Sequence, residues 1–101
     1  MRIIALFNLK PGVTRADYEA WARGTDLPGV NALGSVIDFR VHRATGLFGS
    51  EAPSPYEYIE VIDIVALDPF VTDVSTPEFQ AVAAAFGDYA DHPQFILTED
   101  L

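Results

Sequence analysis

The chain has 101 residues, half of them hydrophobic and 21% charged, which gives it one core's worth of apolar side chains and argues against intrinsic disorder. It has no cysteine, which excludes disulfide staples, thiolate catalysis and cysteine metal sites. Its net charge of −9 is unevenly spread, since six bases and four acids lie in residues 1–43 while eleven acids and no base lie in residues 44–101, so it offers no basic face to nucleic acid or to an anionic membrane.

Arg2 to Leu9 (RIIALFNL) reads as a short strand, apolar on both faces and ended by Lys10-Pro11-Gly12. The start is too short and too soon interrupted for a signal peptide, and no apolar run approaches the ~20 residues that span a bilayer. The expected location is therefore the cytoplasm. Residues 14–23 read as a helix: Thr14 is the N-cap, Asp17 sits three residues on, and Val13 and Tyr18 occupy the positions of a hydrophobic staple. Tyr18, Trp21 and Ala22 form its apolar stripe, Gly24 is the expected terminator, and Asp26-Leu27-Pro28-Gly29 reads as a turn or loop.

Residues 35–45 alternate polar and apolar at period two and read as a strand. Gly46, Gly49, Pro53 and Pro55 make residues 46–55 a loop, and 56–65 (YEYIEVIDIV) reads as a third strand, antiparallel to the second. Asp68-Pro69 opens a short helical turn. Thr76-Pro77-Glu78 starts a helix with a cap, a proline at the first position and an acid in the first turn; Phe79, Val82, Ala83 and Phe86 follow at helical spacing, with Gly87 near its end. His92-Pro93 begins the tail, and Phe95 to Thr98 reads as a last short strand.

The order is strand, helix, strand, strand, helix, strand. That is the α+β, ferredoxin-like split pattern, with one antiparallel sheet and two helices on one face, formed as a single domain over residues 1–101. The other face of such a sheet is left bare and apolar. Two copies packed sheet to sheet would cover it, so a homodimer through the sheet face is expected.

Three runs, MRIIALFNLKPGVTRADYEAWARGTDLP, TGLFGS and PYEYIEVIDI, resemble the REDY-like HapK family of the dimeric α+β barrel superfamily. The resemblance covers nearly the whole chain. It implies a ferredoxin-like protomer that dimerises through its sheet, in secondary metabolism leading to prodigiosin-type pyrrolic pigments and related indole-derived compounds. Some members of the family resemble cofactor-free cyclases. Many enzymes of the superfamily carry a histidine shortly before a proline after the first helix; here that position looks to be Asp26, in Asp26-Leu27-Pro28, which puts a histidine mechanism there in doubt.

The sequence holds no glycine-rich phosphate loop and no nucleophile elbow, and His42 and His92 have no local ligand spacing. With no cofactor and no metal expected, the available chemistry is proton transfer and positioning. Arg40 and His42 share one strand face, and Tyr58 and Glu60 share a face of the next strand. A register in which paired positions sum to about 100 sets Arg40 against Glu60 and His42 against Tyr58, and a one-residue slip breaks the arrangement. In that register His42 is the acid or base and Glu60 the carboxylate. Tyr58 is then a hydroxyl donor and Arg40 an anchor for substrate, although an Arg40–Glu60 ion pair is the plainer reading of those two. Asn8 is a candidate donor to a ligand carbonyl, and Tyr18 and Trp21 are core residues that could also wall a pocket for a small aromatic or pyrrolic ligand. Phe39, Phe79, Phe86 and Phe95 are core or pocket lining.

Three functions stand beside each other at this point. The first is a cofactor-independent enzyme of cyclisation, condensation or tautomerisation. The second is a non-catalytic carrier of a pathway intermediate. The third is a cofactor-free or haem-dependent monooxygenase on the same fold.

Overall fold

A computed structural model describes all residues, 1–101. Four strands and four helices follow in the order β1 (Arg2–Leu9), α1 (Arg15–Trp21), α2 (Leu27–Asn31), β2 (Val36–Arg43), β3 (Tyr58–Ile64), α3 (Leu67–Val74), α4 (Pro77–Tyr89) and β4 (Ala90–Thr98). The strands form one sheet in the order β2-β3-β1-β4, with every neighbouring pair antiparallel. This is the ferredoxin-like topology, and all helices lie on one face.

Local chemistry sets the element ends. Gly12, at φ +86°, makes the turn out of β1, a conformation a side chain would strain. Thr14 accepts a hydrogen bond from the Asp17 N–H at 3.1 Å and starts α1. Thr76 does the same for the Phe79 N–H at 3.2 Å, with Pro77 at the first position of α4.

Gly24 does not stop the first helix. A π-helical turn over Ala22–Asp26 carries the chain directly into α2, so the expected loop at Asp26-Leu27-Pro28-Gly29 is helical, and the widened turn lies just ahead of Pro28, which has no N–H to give to the preceding turn. The last strand is longer than the tail reading: it begins at Ala90 and contains His92 and Pro93. An extra residue on β4 between its Leu6–Gln94 and Asn8–Asp91 pairs makes a bulge, and His92 takes φ +46° there.

Ile3, Ala5 and Phe7 of β1 and Tyr58, Ile62 and Ile64 of β3 point to the helix side, as period-two alternation requires. The core splits into two clusters. One, around Phe39, Ile62 and Val30, lies under α2; the other, around Phe7, Tyr18 and Tyr58, lies under α1. By contrast, α3 and α4 contain no fully buried residue, and they meet the core through half-buried side chains such as Phe70, Phe79 and Phe86. The opposite sheet face carries Ile4, Leu6, Ile59, Val61 and Ile96 with no element over it. No helix is long and apolar enough to cross a membrane.

Candidate functional site: two buried carboxylates in an apolar cavity

The expected pairing of Arg40 with Glu60 and His42 with Tyr58 is not formed. Val36 does pair with Ile64, the start of that register, but Asp38 then pairs with Asp63, so Ile37 is an extra residue on β2. Beyond this bulge His42 pairs with Ile59, Arg40 with Val61 and Val41 with Glu60. One residue of slip moves Arg40 and His42 to the bare, exposed face, while Glu60 and Tyr58 stay under the helices. Arg40 pairs with Asp38 at 2.9 Å instead of with Glu60.

Other expected site residues are also engaged elsewhere. Asn8 accepts from the Glu57 N–H at 2.9 Å and donates to the Pro55 carbonyl at 3.1 Å, so its amide holds the approach to β3 rather than facing a ligand. Trp21 stacks on Tyr89 at 5.2 Å, away from the main cavity. Tyr58 donates to the Glu19 carboxylate at 2.7 Å. Glu19 in turn takes a fork of bonds from Arg43 and a contact from Arg23 at 3.3 Å. The Arg43 and Tyr58 hydrogen bonds pull Glu19 down to about 2, and burial with the Glu19 bond raises Tyr58 to about 12. This cluster clamps α1 to β2 and β3.

Glu60 belongs to a different centre. A cavity of about 360 Å³ lies between the sheet and α2, α3 and α4. It is walled by five of the seven phenylalanines: Phe39, Phe70, Phe79, Phe86 and Phe95. Its only polar lining residues are Asp26, Glu60 and Gln80. Asp26 and Glu60 are 5% and 3% exposed, unusual for acids without a basic partner. Burial raises Asp26 to about 6. Burial and, secondarily, the Asp26 charge raise Glu60 to about 8. No hydrogen bond or cation contributes to either shift.

Asp26 reaches the cavity because of the π-helical turn. Tyr18, Ala22, Asp26 and Val30 are all buried, each four residues from the last. In a regular α-helix three such steps precess about 120°, which would carry the stripe off the sheet. One widened turn takes back about 100° and keeps all four on it. Tyr18 lies outside the lining of this cavity: its hydroxyl is buried with no hydrogen-bond partner, and its pKa is raised by burial and then by the Glu60 and Asp26 charges.

In the sequence Asp26 stands out only as a turn residue and a departure from a histidine pattern. The four-residue spacing from Tyr18 through Ala22 to Asp26 and Val30 was the signal for its burial. Neither histidine lines the cavity: His42 lies on the bare face, and His92 is exposed beside Asp91 at 2.6 Å. No group of three or more His, Cys, Asp or Glu side chains is gathered to hold a metal ion.

Burial holds both acids above the usual carboxylate range, Glu60 further than Asp26, so of the two Asp26 is the readier acceptor and Glu60 the readier donor. Two carboxyls held apart in this way can take a proton from one position of a ligand and return one to another.

The whole chain, residues 1–101, matches the family described as REDY-like protein HapK. The crystal structure of HapK from Hahella chejuensis is 30% identical over 100% of this chain and 93% of that one, with a TM-score of 0.76. A dimeric ferredoxin-like protein from Thermobifida fusca is 23% identical over 94% and 85%, with a TM-score of 0.72. SnoaB from Streptomyces nogalater, a cofactor-independent oxygenase, is 14% identical over 99% and 93%, with a TM-score of 0.68. At those lower identities the likeness is one of fold. No curated protein matches the chain. Match over its full length, together with the ferredoxin-like sheet, places this chain in the REDY-like HapK family.

Proposed function

We propose that the chain binds a small aromatic or pyrrolic molecule in the phenylalanine-walled cavity and moves a proton on it without a cofactor, as in a tautomerisation, cyclisation or condensation. Asp26 takes a proton from an acidic C–H or N–H of the ligand. Glu60 gives one to the atom that gains electron density, and exchange with solvent resets the pair. The single observation that carries the reading is the pair of buried acids, with no basic partner, in one apolar cavity. Asp26 thus takes the role expected of His42. Exclusion of water and orientation by the aromatic walls supply the remainder.

Membership of the REDY-like HapK family supports a place in secondary metabolism, with an intermediate of a prodigiosin-type pathway as ligand. The absence of cysteine is compatible with a cytoplasmic setting. The uncovered sheet face, with the dimeric relative from Thermobifida fusca, supports a homodimer packed sheet to sheet. No imidazole lines the cavity, which weighs against haem held there by histidine.

The test is a mass-spectrometric time course with pyrrole- and indole-derived intermediates, beside a no-protein control and the Asp26→Asn and Glu60→Gln variants. A new product that falls at least a hundredfold in either variant supports the reading. A product profile identical to the control, with ligand retained on the protein, overturns it and leaves a carrier.

A further inference from the structure

The cavity's polar groups are all acids or neutral. Asp26 is presented by the π-helical turn and Glu60 by β3, while Gln80 of α4 is neutral. No Lys, Arg or His lines this space. The arginines that pack around α1 are engaged elsewhere: Arg23 and Arg43 on Glu19, and Arg15 on Glu57 at 3.5 Å. A ligand carboxylate or phosphate entering the cavity would lose its hydration and meet one carboxylate and no cation. A ligand bearing a protonated nitrogen would do the reverse, giving Asp26 the charged donor it lacks. Five phenylalanine rings around the same space favour a flat ring and tolerate a cation on their faces.

We infer that the cavity selects aromatic ligands that carry a basic nitrogen, held by Asp26, and rejects aromatic carboxylates. This rests on the proposed site and names the class of molecule it takes. Asp26 has two functions in this assignment: it anchors the nitrogen in the resting complex and is the base for a proton from that nitrogen or the carbon beside it.

Three probes of matched ring and different charge test it: tryptamine, 3-methylindole and indole-3-propionate, titrated calorimetrically into the wild-type chain and into Asp26→Asn at neutral pH. Tryptamine should bind at least tenfold more tightly than 3-methylindole, and indole-3-propionate more weakly than either. Asp26→Asn should bring tryptamine to within about twofold of 3-methylindole, and retained binding of 3-methylindole shows the cavity intact. Equal affinities, a preference for the carboxylate, an amine advantage that survives Asp26→Asn, or no binding of any probe overturns the inference. Retained 3-methylindole binding without amine preference refutes the nitrogen selection alone. The proton-transfer reading falls separately, by turnover that is unchanged in the variants.

Discussion

Asp26→Asn should stabilise the protein, and the size of the gain follows from the site. Burial raises Asp26 from 3.8 to about 6. A shift of just over two units corresponds to roughly 3 kcal/mol of destabilisation once the group is ionised in the folded state. An amide at the same place still buries polar atoms at a cost of about 1–2 kcal/mol, so the net gain at pH 8 is about 1–2 kcal/mol. For a domain of about this size that raises the melting temperature by roughly 4–16 °C. The sign is fixed by linkage. The folded chain holds the Asp26 proton more tightly than the unfolded chain, so stability falls as pH rises from 3.8 through about 6. Glu60, raised from 4.5 to about 8, extends the fall over that higher window. Glu19 runs the other way: lowered to about 2, it stabilises above 4.5 and loses that contribution as pH drops towards 2. Stability should therefore peak near pH 4–5. Urea unfolding at pH 5 and pH 8, with m unchanged, reads both effects. A wild-type chain more stable at pH 8 than at pH 5, or an Asp26→Asn chain less stable than wild type at pH 8, refutes the reasoning.

Glu60→Gln should cost the proposed turnover at least a hundredfold, whereas His42→Ala, on the opposite sheet face, should change it less than twofold; a large His42→Ala loss in the same assay would return the chemistry to the bare face. Val61→Glu, in the middle of that face, should convert a particle of twice 11.0 kDa into one of 11.0 kDa by light scattering, and a wild-type chain that is already monomeric contradicts the sheet-to-sheet dimer. Tyr58→Phe removes the 2.7 Å bond to Glu19 and should cost about 1–2 kcal/mol in thermal unfolding, an effect that a shift below 0.5 kcal/mol would disprove. Thr76→Ala should cost about 1 kcal/mol by loss of the α4 cap, measured the same way.

Elements that depend on local chemistry were legible in the sequence. The RIIALFNL run has the bounds of β1, and Thr14 and Thr76 cap the helices they were expected to cap. Features set by tertiary context were not. The register read for β2 and β3 is correct at Val36–Ile64 and fails two residues later, because a bulge at Ile37 has no marker in its own side chain. Gly24 looked like a helix end, yet packing of Ala22, Asp26 and Val30 against the sheet carries the helix through it. Those two irregularities decide the site: one sends His42 away from Glu60, and the other brings Asp26 to the same cavity. The four phenylalanines read as core or lining, by contrast, all face that cavity, since apolar spacing reports burial even where it cannot report register.

The helices that roof the cavity, α3 and α4, hold no fully buried side chain, whereas the sheet beneath them carries the packed cores. Regions with few buried contacts open first in the native state, well below the free energy of global unfolding. Amide protons of α3 and α4 should thus exchange with solvent sooner than those of β1 and β3. Local opening of this roof would admit a ligand without a separate gate, and a molecule that fills the space beneath it would supply the contacts the helices lack. Occupancy would be recorded as slowed exchange along α3 and α4.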